Sequence, residues 1–597
     1  MKHVIAVLLL ATLFHGVLFA EPSTLQPENP IKIVHPVENA HLPALNSSFV
    51  FGSAPPDGIL SINGIPVRIH PGGGFLAMVN LTPGEFEIKA ELRLSAKTYH
   101  LTRTILVAKP EQPAPELPLI IEYVTSGQDQ ELLPGDNIEV ICKGSPGKEA
   151  YFTIKGIRGK FPMNESKTGV SGIYYGVYRI GNVDKLNKSK IKVTLDAKNQ
   201  RESKEAEGTI SLFKGQSPVM AETISPNTVL RTGPALSQND LAGYLMFPPE
   251  GTLLQITGRI GGEYRVRLNK TNTVWVNVNQ VKLLPQGTPP AHIVAGNVTL
   301  SVKDASTFIR IPLKRKIPFK INPEAEGKYL DILFYGAFSN TDWINNAAIG
   351  AVKQLEWFQD DEETYRLRIH TLPNSWWGYD SRYEGNQFVF ELRTPPPVTV
   401  NDFTLKGLTI AVDPGHSADT GAVGPTGYAE KDANLAQALV LKEKLIAKGA
   451  KVIMVREGDQ DVPLIERPLI AWRNRADLLI SIHNNALPYG GNPFEKHGFG
   501  VYYYTPMSLP LAKEIHKAYT ETFGASSKYV LPDDGLYYGN LALTRAPQMP
   551  SVLIESAYMI VPEEEAYLKT DGFRLACANA IITGIERYAR RMRREIK

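Results

Sequence analysis

Four ionisable residues in the last third of the chain are of the types that hold a metal and move protons: His416, Glu430, His483 and Glu555. Three of them close an apolar run. His416 comes just after Leu408–Val412, His483 just after Ala476–Ile482, and Glu555 just after Ser551–Ile554. Glu430 opens the helix-spaced segment Glu430–Lys448. If the runs are strands of one sheet, their carboxyl ends bring these side chains to a common edge. Two His and one Glu, with a fourth position left for water, form the donor set of a catalytic zinc ion. Glu555 is then free to handle protons. Taken singly, each residue has an ordinary reading. His416 is a residue of a Gly-rich loop, His483 a hydrogen-bonded core histidine, and Glu430 a favourable charge in a first helical turn. Glu555 is harder to set aside, because a carboxylate ending Val552-Leu553-Ile554 needs a partner or a role. The HExxH spacing of metalloproteases is absent, so the zinc arrangement is a different one.

The elements that must position these residues alternate. Strands are predicted at Leu408–Val412, Lys451–Val455, Ala476–Ile482, Gly500–Tyr504 and Ser551–Ile554. Helices are predicted at Glu430–Lys448, Leu464–Asn474, Leu511–Thr522 and Gly572–Arg590. In the first helix Leu435, Leu439, Leu445 and Ile446 lie on or near one face, and Gly449 ends it. Such alternation predicts an α/β domain over 405–597, a twisted sheet with helices on both faces.

Upstream the character is β throughout. Pro-rich stretches at Lys109–Pro118, Leu284–Pro290 and Thr394–Val400 read as semi-rigid connectors. They delimit β-sandwiches at 30–108 and 119–215, a small barrel at 218–284, and a β-rich piece at 291–394. Ile62-Asn63-Gly64-Ile65 is a hairpin signal, since Asn and Gly accept positive φ. Trp275 is expected to fill the small barrel. Trp343, Trp357, Trp376 and Trp377 stand in the last β-piece, where they either fill its core or stack on sugar rings, the core being favoured.

The composition of the 597 residues, 43% hydrophobic and 21% charged, is that of a folded, multidomain chain. A net charge of +3 argues against a protein that coats nucleic acid. The basic ending Arg590-Arg591-Met592-Arg593-Arg594 reads as a solvated helix face. Met1–Ala20 has a Lys near its start, an apolar run and a small residue at its end, the layout of a secretory signal peptide. No later run approaches a membrane span, so no stable transmembrane segment is expected. The two cysteines, Cys142 and Cys577, fall in different expected domains and are not expected to pair.

Residues 408–593 resemble the catalytic domain of zinc-dependent N-acetylmuramoyl-L-alanine amidases. The resemblance rests on Val412-Asp413-Pro414-Gly415-His416, Gly421-Ala422, Gly424, Gly427, Glu430-Lys431-Asp432, Arg467, Ala476-Asp477, Ser481-Ile482-His483, Asn485-Ala486 and Pro550-Ser551-Val552-Leu553-Ile554-Glu555. It implies one Zn2+ held by His416, Glu430 and His483, with Glu555 as the catalytic carboxylate. The implied reaction is hydrolysis of the amide between the lactyl group of N-acetylmuramic acid and L-alanine in peptidoglycan. Residues 218–284 similarly resemble the bacterial Src-homology-3-like barrel of cell-wall hydrolases. Residues 291–394 resemble the targeting-type β-sandwich that precedes many periplasmic amidases. The implied setting is export, to the periplasm before the cell wall or medium, with cell-wall or divisome partners for the N-terminal β-domains.

Departures from the family pattern fall at Ser417, Asn484, Val561 and Ser556-Ala557-Tyr558. They leave every ligand in place. The segment from Ala486 to Pro550 is too short for the extra helix that plugs some members, so no self-inhibition is expected. Arg467, Asn485, His497 and Arg545 are candidate substrate contacts, and Asp413 a candidate to orient the ligand histidines. An inactive wall-binding scaffold and a peptidase of stem peptides are the competing readings.

Overall fold

The computed structural model describes residues 29–594 except 126, 198, 214–217, 237–242, 305, 374 and 397–403. The expected signal peptide lies outside the described residues. Among those described, no helix is long and apolar enough to cross a membrane.

The C-terminal domain is built on one sheet of six strands. In chain order its elements are β1 (Thr409–Pro414), α1 (Glu430–Ala447), β2 (Lys451–Met454), α2 (Glu466–Arg473), β3 (Leu478–Asn485), β4 (Phe499–Tyr503), α3 (Leu509–Phe523), β5 (Asp533–Tyr538), β6 (Ser551–Tyr558), α4 (Pro562–Leu568) and α5 (Asp571–Arg594). The spatial order is β2-β1-β3-β6-β4-β5. β2, β1, β3 and β6 run parallel, β4 is antiparallel to β6, and β5 is parallel to β4. β1, β3 and β6 are buried on both faces, which is why they read as apolar runs rather than as alternating strands. α1 buries Ala433, Gln437, Leu441 and Leu445 at a spacing of four, and Gly449, with φ of 85°, terminates it. α3 and α5 supply Leu511, Ile515, Tyr519, Phe573, Ile581 and Ile585 to the same core. β5 and α4 were not foreseen. β5 is half-buried along most of its length, and α4 is only seven residues long, so neither carries a clear period.

The β-domains differ from expectation at their boundaries. Residues 30–108 form a sandwich of a three-stranded and a five-stranded sheet, and Asn63 and Gly64 take the positive φ of the foreseen hairpin. The boundary drawn at 215–218 does not hold. Strands Gln130–Leu132 and Ile210–Leu212 of the second piece join the sheet of the third through Gln130↔Ile260. Trp275 does not fill the barrel. Leu254, Ile256, Val266, Val274 and Val276 do, and strand alternation turns Trp275 away from them. The fourth piece is a sandwich of two four-stranded sheets with a further two-stranded pair. Trp376 belongs to its core, but Trp377 is inserted into the core of the α/β domain, 5.0 Å from Tyr588. Arg393 continues this contact by donating to the carbonyls of Ala476 and Gln548 and to Asp477. The first sandwich returns to the last domain as well: Phe49, Phe51 and Leu76 pack on Tyr558, Ile560 and Val561. Cys142 and Cys577 are buried free thiols.

Candidate metal centre

Strand register sets the site. β3 and β6 are aligned so that His483 faces Glu555 across the ladder, and Pro414 of β1 faces Ile482. His416 therefore lies two residues beyond the end of β1, one step past the level of His483. One ligand atom each from His416, Glu430 and His483 lies within 4.8 Å of the others. His416 Nε2 is 3.0 Å from Glu430 Oε2, and His483 Nδ1 is 3.0 Å from Glu430 Oε1.

The loop carrying His416 is held by two buried arginines. Arg467 of α2, 3% exposed, donates all five of its N–H groups: to Val462 O, Asp413 Oδ1, Pro414 O, His416 O and Ser417 Oγ. Arg456 donates to the carbonyls of Pro414, Gly415, Lys431 and Gly458. These bonds hold His416 in a left-handed conformation, φ 59°, that is unfavourable for a non-glycine residue. Gly415 is required by close approach, because a Cβ there would meet the His483 ring at 2.2 Å. Gly421, φ 64°, supports Glu430 in the same way, a Cβ there falling 2.5 Å from Glu430 Oε2.

Each ligand is further oriented. Asp419 takes His416 Nδ1, which leaves Nε2 facing the centre. Glu430 accepts the N–H of Ala422 and of Asn484 and an amide hydrogen of Asn434. Behind it Asn434, Asn484 and Gln437 form a buried chain of amides, which is what Asn484 does in place of a small residue. Burial opposes the charge of Glu430, but its bonds to His416 and His483 outweigh it and hold the carboxyl well below the usual range. The same bonds act on the histidines. Burial lowers His416, yet Glu430 and then Asp419 overcome this and raise it to about 9. His483 is raised for the same balance of reasons.

Glu555 is the fourth member. Its Oε2 is buried and has no hydrogen-bond partner among the described residues. Burial pushes the carboxyl up, and although His483 pulls it down, Glu430 adds to the rise and it reaches about 7.

The remaining candidates separate. Arg467 has no donor left for a substrate, so it is a positioning residue rather than a substrate contact. Asp413, fully buried, has its oxygens taken by Arg467 and Ser481, so it acts on the loop through Arg467 and not on the imidazoles. Arg545 lies over Tyr244 and Phe247 of the small barrel and donates to Asn540, an interdomain contact. Asn485 donates from Nδ2 to Tyr558 Oη, and that hydroxyl donates to Asp534. His497 is paired with Glu564, which raises it and which also accepts the N–H of Tyr558. Ser556 and Ala557 face the core, Ser556 against Tyr519. Residues 486–498 carry turns and no helix, and α3 is packed into the core. Sequence reasoning missed Asp419, Arg456, Asn434 and Asp534. Only Asp419, three residues after His416, stood close enough to a ligand to be found.

A sequence profile of N-acetylmuramoyl-L-alanine amidases matches residues 410–587. The uncharacterized protein YqiI of Bacillus subtilis is 31% identical over 185 residues, 31% of this chain and 86% of that protein. The chain belongs to the N-acetylmuramoyl-L-alanine amidase family. The probable cell wall amidase LytH of Staphylococcus epidermidis is 31% identical over 200 residues, 33% of this chain and 64% of LytH. The N-acetylmuramoyl-L-alanine amidase AmiC of Neisseria meningitidis is 32% identical over 220 residues, 30% of this chain and 52% of AmiC. The chain thus spans less than two thirds of the length of these two relatives. Among solved structures, the amidase AmiC2 of Nostoc punctiforme aligns at 29% identity over 31% of this chain and 97% of that one, with a TM-score of 0.28. The matches to these relatives each cover about a third of this chain, so the amidase domain is the part they describe.

The donor set of the amidase domain fits zinc. Two imidazoles and a carboxylate converge, one imidazole is backed by a carboxylate, and Glu555, with one buried and unpartnered oxygen, follows on the neighbouring strand. Because Glu430 and Asp419 raise His416 to about 9 while the site holds no metal, zinc bound there would displace a proton from it at neutral pH. Zinc binding at pH 7 is therefore expected to release at least about one proton, and apparent affinity to rise about tenfold or more per pH unit between pH 6 and 8. Titration calorimetry in buffers of different ionisation heat reads both. A pH-independent affinity with no proton release would mean that His416 carries no proton at neutral pH in the metal-free chain.

Proposed function

We propose that the chain is an exported zinc amidase that hydrolyses the amide between N-acetylmuramic acid and L-alanine in peptidoglycan. The observation that carries the reading is the meeting of His416, Glu430 and His483 within 4.8 Å beside the unpartnered Oε2 of Glu555. His416 Nε2, a Glu430 carboxylate oxygen and His483 Nδ1 would hold the metal. Zinc there supplies Lewis acidity toward the amide carbonyl and toward water. The Glu555 carboxylate takes the proton of the attacking water and returns it to the nitrogen of L-alanine as the carbon–nitrogen bond breaks. Arg467, Arg456 and Asp419 keep the ligand loop in place while this happens.

Asn485, two residues after His483, is tied through the buried Tyr558 to Asp534, and we infer that this chain positions Asn485 toward the substrate. Tyr558→Phe removes the hydroxyl that joins Asn485 to Asp534. It is expected to lower kcat/KM by about 3–10-fold, the worth of one or two hydrogen bonds, mainly through KM. An unchanged KM would limit Tyr558 to a structural role.

The layout of Met1–Ala20 supports export, and the names of the relatives, cell wall amidase among them, support the wall as the place of action. The periplasm is the compartment we favour, and the four β-rich pieces upstream would position the enzyme and meet cell-wall or divisome partners. The test is mass spectrometry of purified peptidoglycan digested by the mature protein, with and without a chelator. Stem peptides beginning at a free L-alanine, formed only when zinc is present, are expected. Cleavage inside the stem peptide, or intact glycan–peptide linkages at saturating zinc, would overturn the assignment.

A further inference from the structure

The first sandwich packs on the amidase domain with a face that a free-standing sandwich would leave to water. In its three-stranded sheet Ile33, Val50, Phe75, Ala77 and Val79 build its own core. Strand alternation sends Phe49, Phe51 and Leu76 to the opposite face. That face is not solvated. Phe49 and Phe51 are 1% and 3% exposed, and with Leu76 they share a cluster with Tyr558, Ile560 and Val561. A sheet covered on both faces cannot lose its cover without exposing large aromatic rings to water, so the joint is a lasting one.

The contacts fall on three segments that flank the site. After His483, the segment 486–490 is gripped. Tyr489 stacks on His35 with ring centroids 4.8 Å apart, and His35 stacks in turn on Phe49 and Phe51. Ser48 Oγ accepts the N–H of Gly490 at 3.2 Å, and a Cβ at Gly490 would meet Leu45 at 2.9 Å. After Glu555, Tyr558 and Val561 enter the shared cluster. Before Glu430, Pro425 lies against Gly74, where a Cβ would fall 3.1 Å from Pro425 and 3.2 Å from Pro562. Tyr558 and Val561 are departures from the family pattern, and the docked sandwich gives both a physical reason.

Asn485 stands between these holds. Its Oδ1 accepts the N–H of Ala486, its Nδ2 donates to Tyr558 Oη, and its carbonyl accepts the N–H of Met559. The gripped segment and the packed ring of Tyr558 therefore both bear on it. The loop of His416, by contrast, is held from within the amidase domain by Arg467, Arg456 and Asp419. We propose that the first sandwich is a brace of the catalytic site, with Phe51 and Tyr489 as positioning residues that fix the segment after His483 and, through it, Asn485. The role of Asn485 toward the substrate rests on the amidase reading, whereas the brace itself does not.

The test uses the full chain with zinc. Phe51→Lys places a charge in the joint and leaves the sandwich's own core residues unchanged. Tyr489→Ala opens the same joint from the amidase side, without touching the sandwich. In both, amide exchange over residues 486–491 is expected to quicken about tenfold or more, with bound zinc unchanged. The kcat/KM for peptide release is expected to fall about tenfold, mainly through KM. Phe51→Leu, which keeps the joint apolar, should recover most of both effects. Tyr558→Phe should add little to the loss in the Tyr489→Ala chain, because Asn485 is already unheld there. Residues that only stabilise the fold would instead lower the melting temperature and leave KM, and the effect of Tyr558→Phe, as they are. Unchanged exchange in both variants would overturn the brace, as would quickened exchange with KM unchanged. No peptide release by the unmodified chain would sink the amidase reading, and exchange alone would then decide the brace.

Discussion

Glu555→Gln is expected to lower kcat by about 10²–10⁴-fold while leaving bound zinc unchanged. The substitution keeps the volume of the side chain and removes its ability to take a proton. Glu555 is not among the three clustered ligands, so the metal should remain. Its environment matches the task. Burial raises the carboxyl, His483 works against the rise and Glu430 with it, and the result, about 7, is poised near neutral pH. Its Oε2 is buried without a partner, and such an oxygen would be costly if the carboxyl had no role in the chemistry. His416→Ala gives the contrasting result, losing zinc and turnover together. Metal analysis alongside initial rates of peptide release separates the two. Full activity in Glu555→Gln would remove Glu555 from the mechanism.

Arg467→Met is expected to destabilise the amidase domain by about 3–5 kcal/mol, the cost of breaking a buried ion pair from one side. The pair with Asp413 is nearly solvent-free, with side-chain exposures of 4% and 0%. Removing the guanidinium leaves a buried carboxylate and frees the carbonyls of Pro414 and His416. Against a typical total of about 5–15 kcal/mol this is a large fraction. Zinc affinity should fall with it, because His416 keeps its left-handed backbone only while its carbonyl is held. Denaturant melts, with hydrogen exchange read over residues 409–417, report the effect. Asp413→Asn in the same chain should recover part of the loss by removing the stranded charge. A direct substrate contact at Arg467 predicts the opposite pattern, a raised KM with stability intact.

The sequence by itself determined the strands and helices of the amidase domain other than β5 and α4, and which chemistry sits at their ends. β1, β3 and β6 are buried on both faces, so their apolar runs were visible, and a His or Glu just past such a run stands out. The helix of Glu430 announced itself by its spacing and its terminal glycine. Motif order then carried the amidase resemblance, and the comparisons bear out the family. What lay beyond reach were the partners that side chains find across elements. Arg467 looked available for substrate, but the fold wraps residues 413–417 around it and uses every donor. Arg545 is claimed by Tyr244 and Phe247 of a domain about three hundred residues earlier. Trp377 leaves its own β-piece for the amidase core, while its neighbour Trp376 stays behind. Residues 30–108 return to pack on Tyr558. Periodicity reports which face of an element is buried. It does not report what that face meets, because hydrogen bonds and packing between distant segments are set only when tertiary structure brings them within reach.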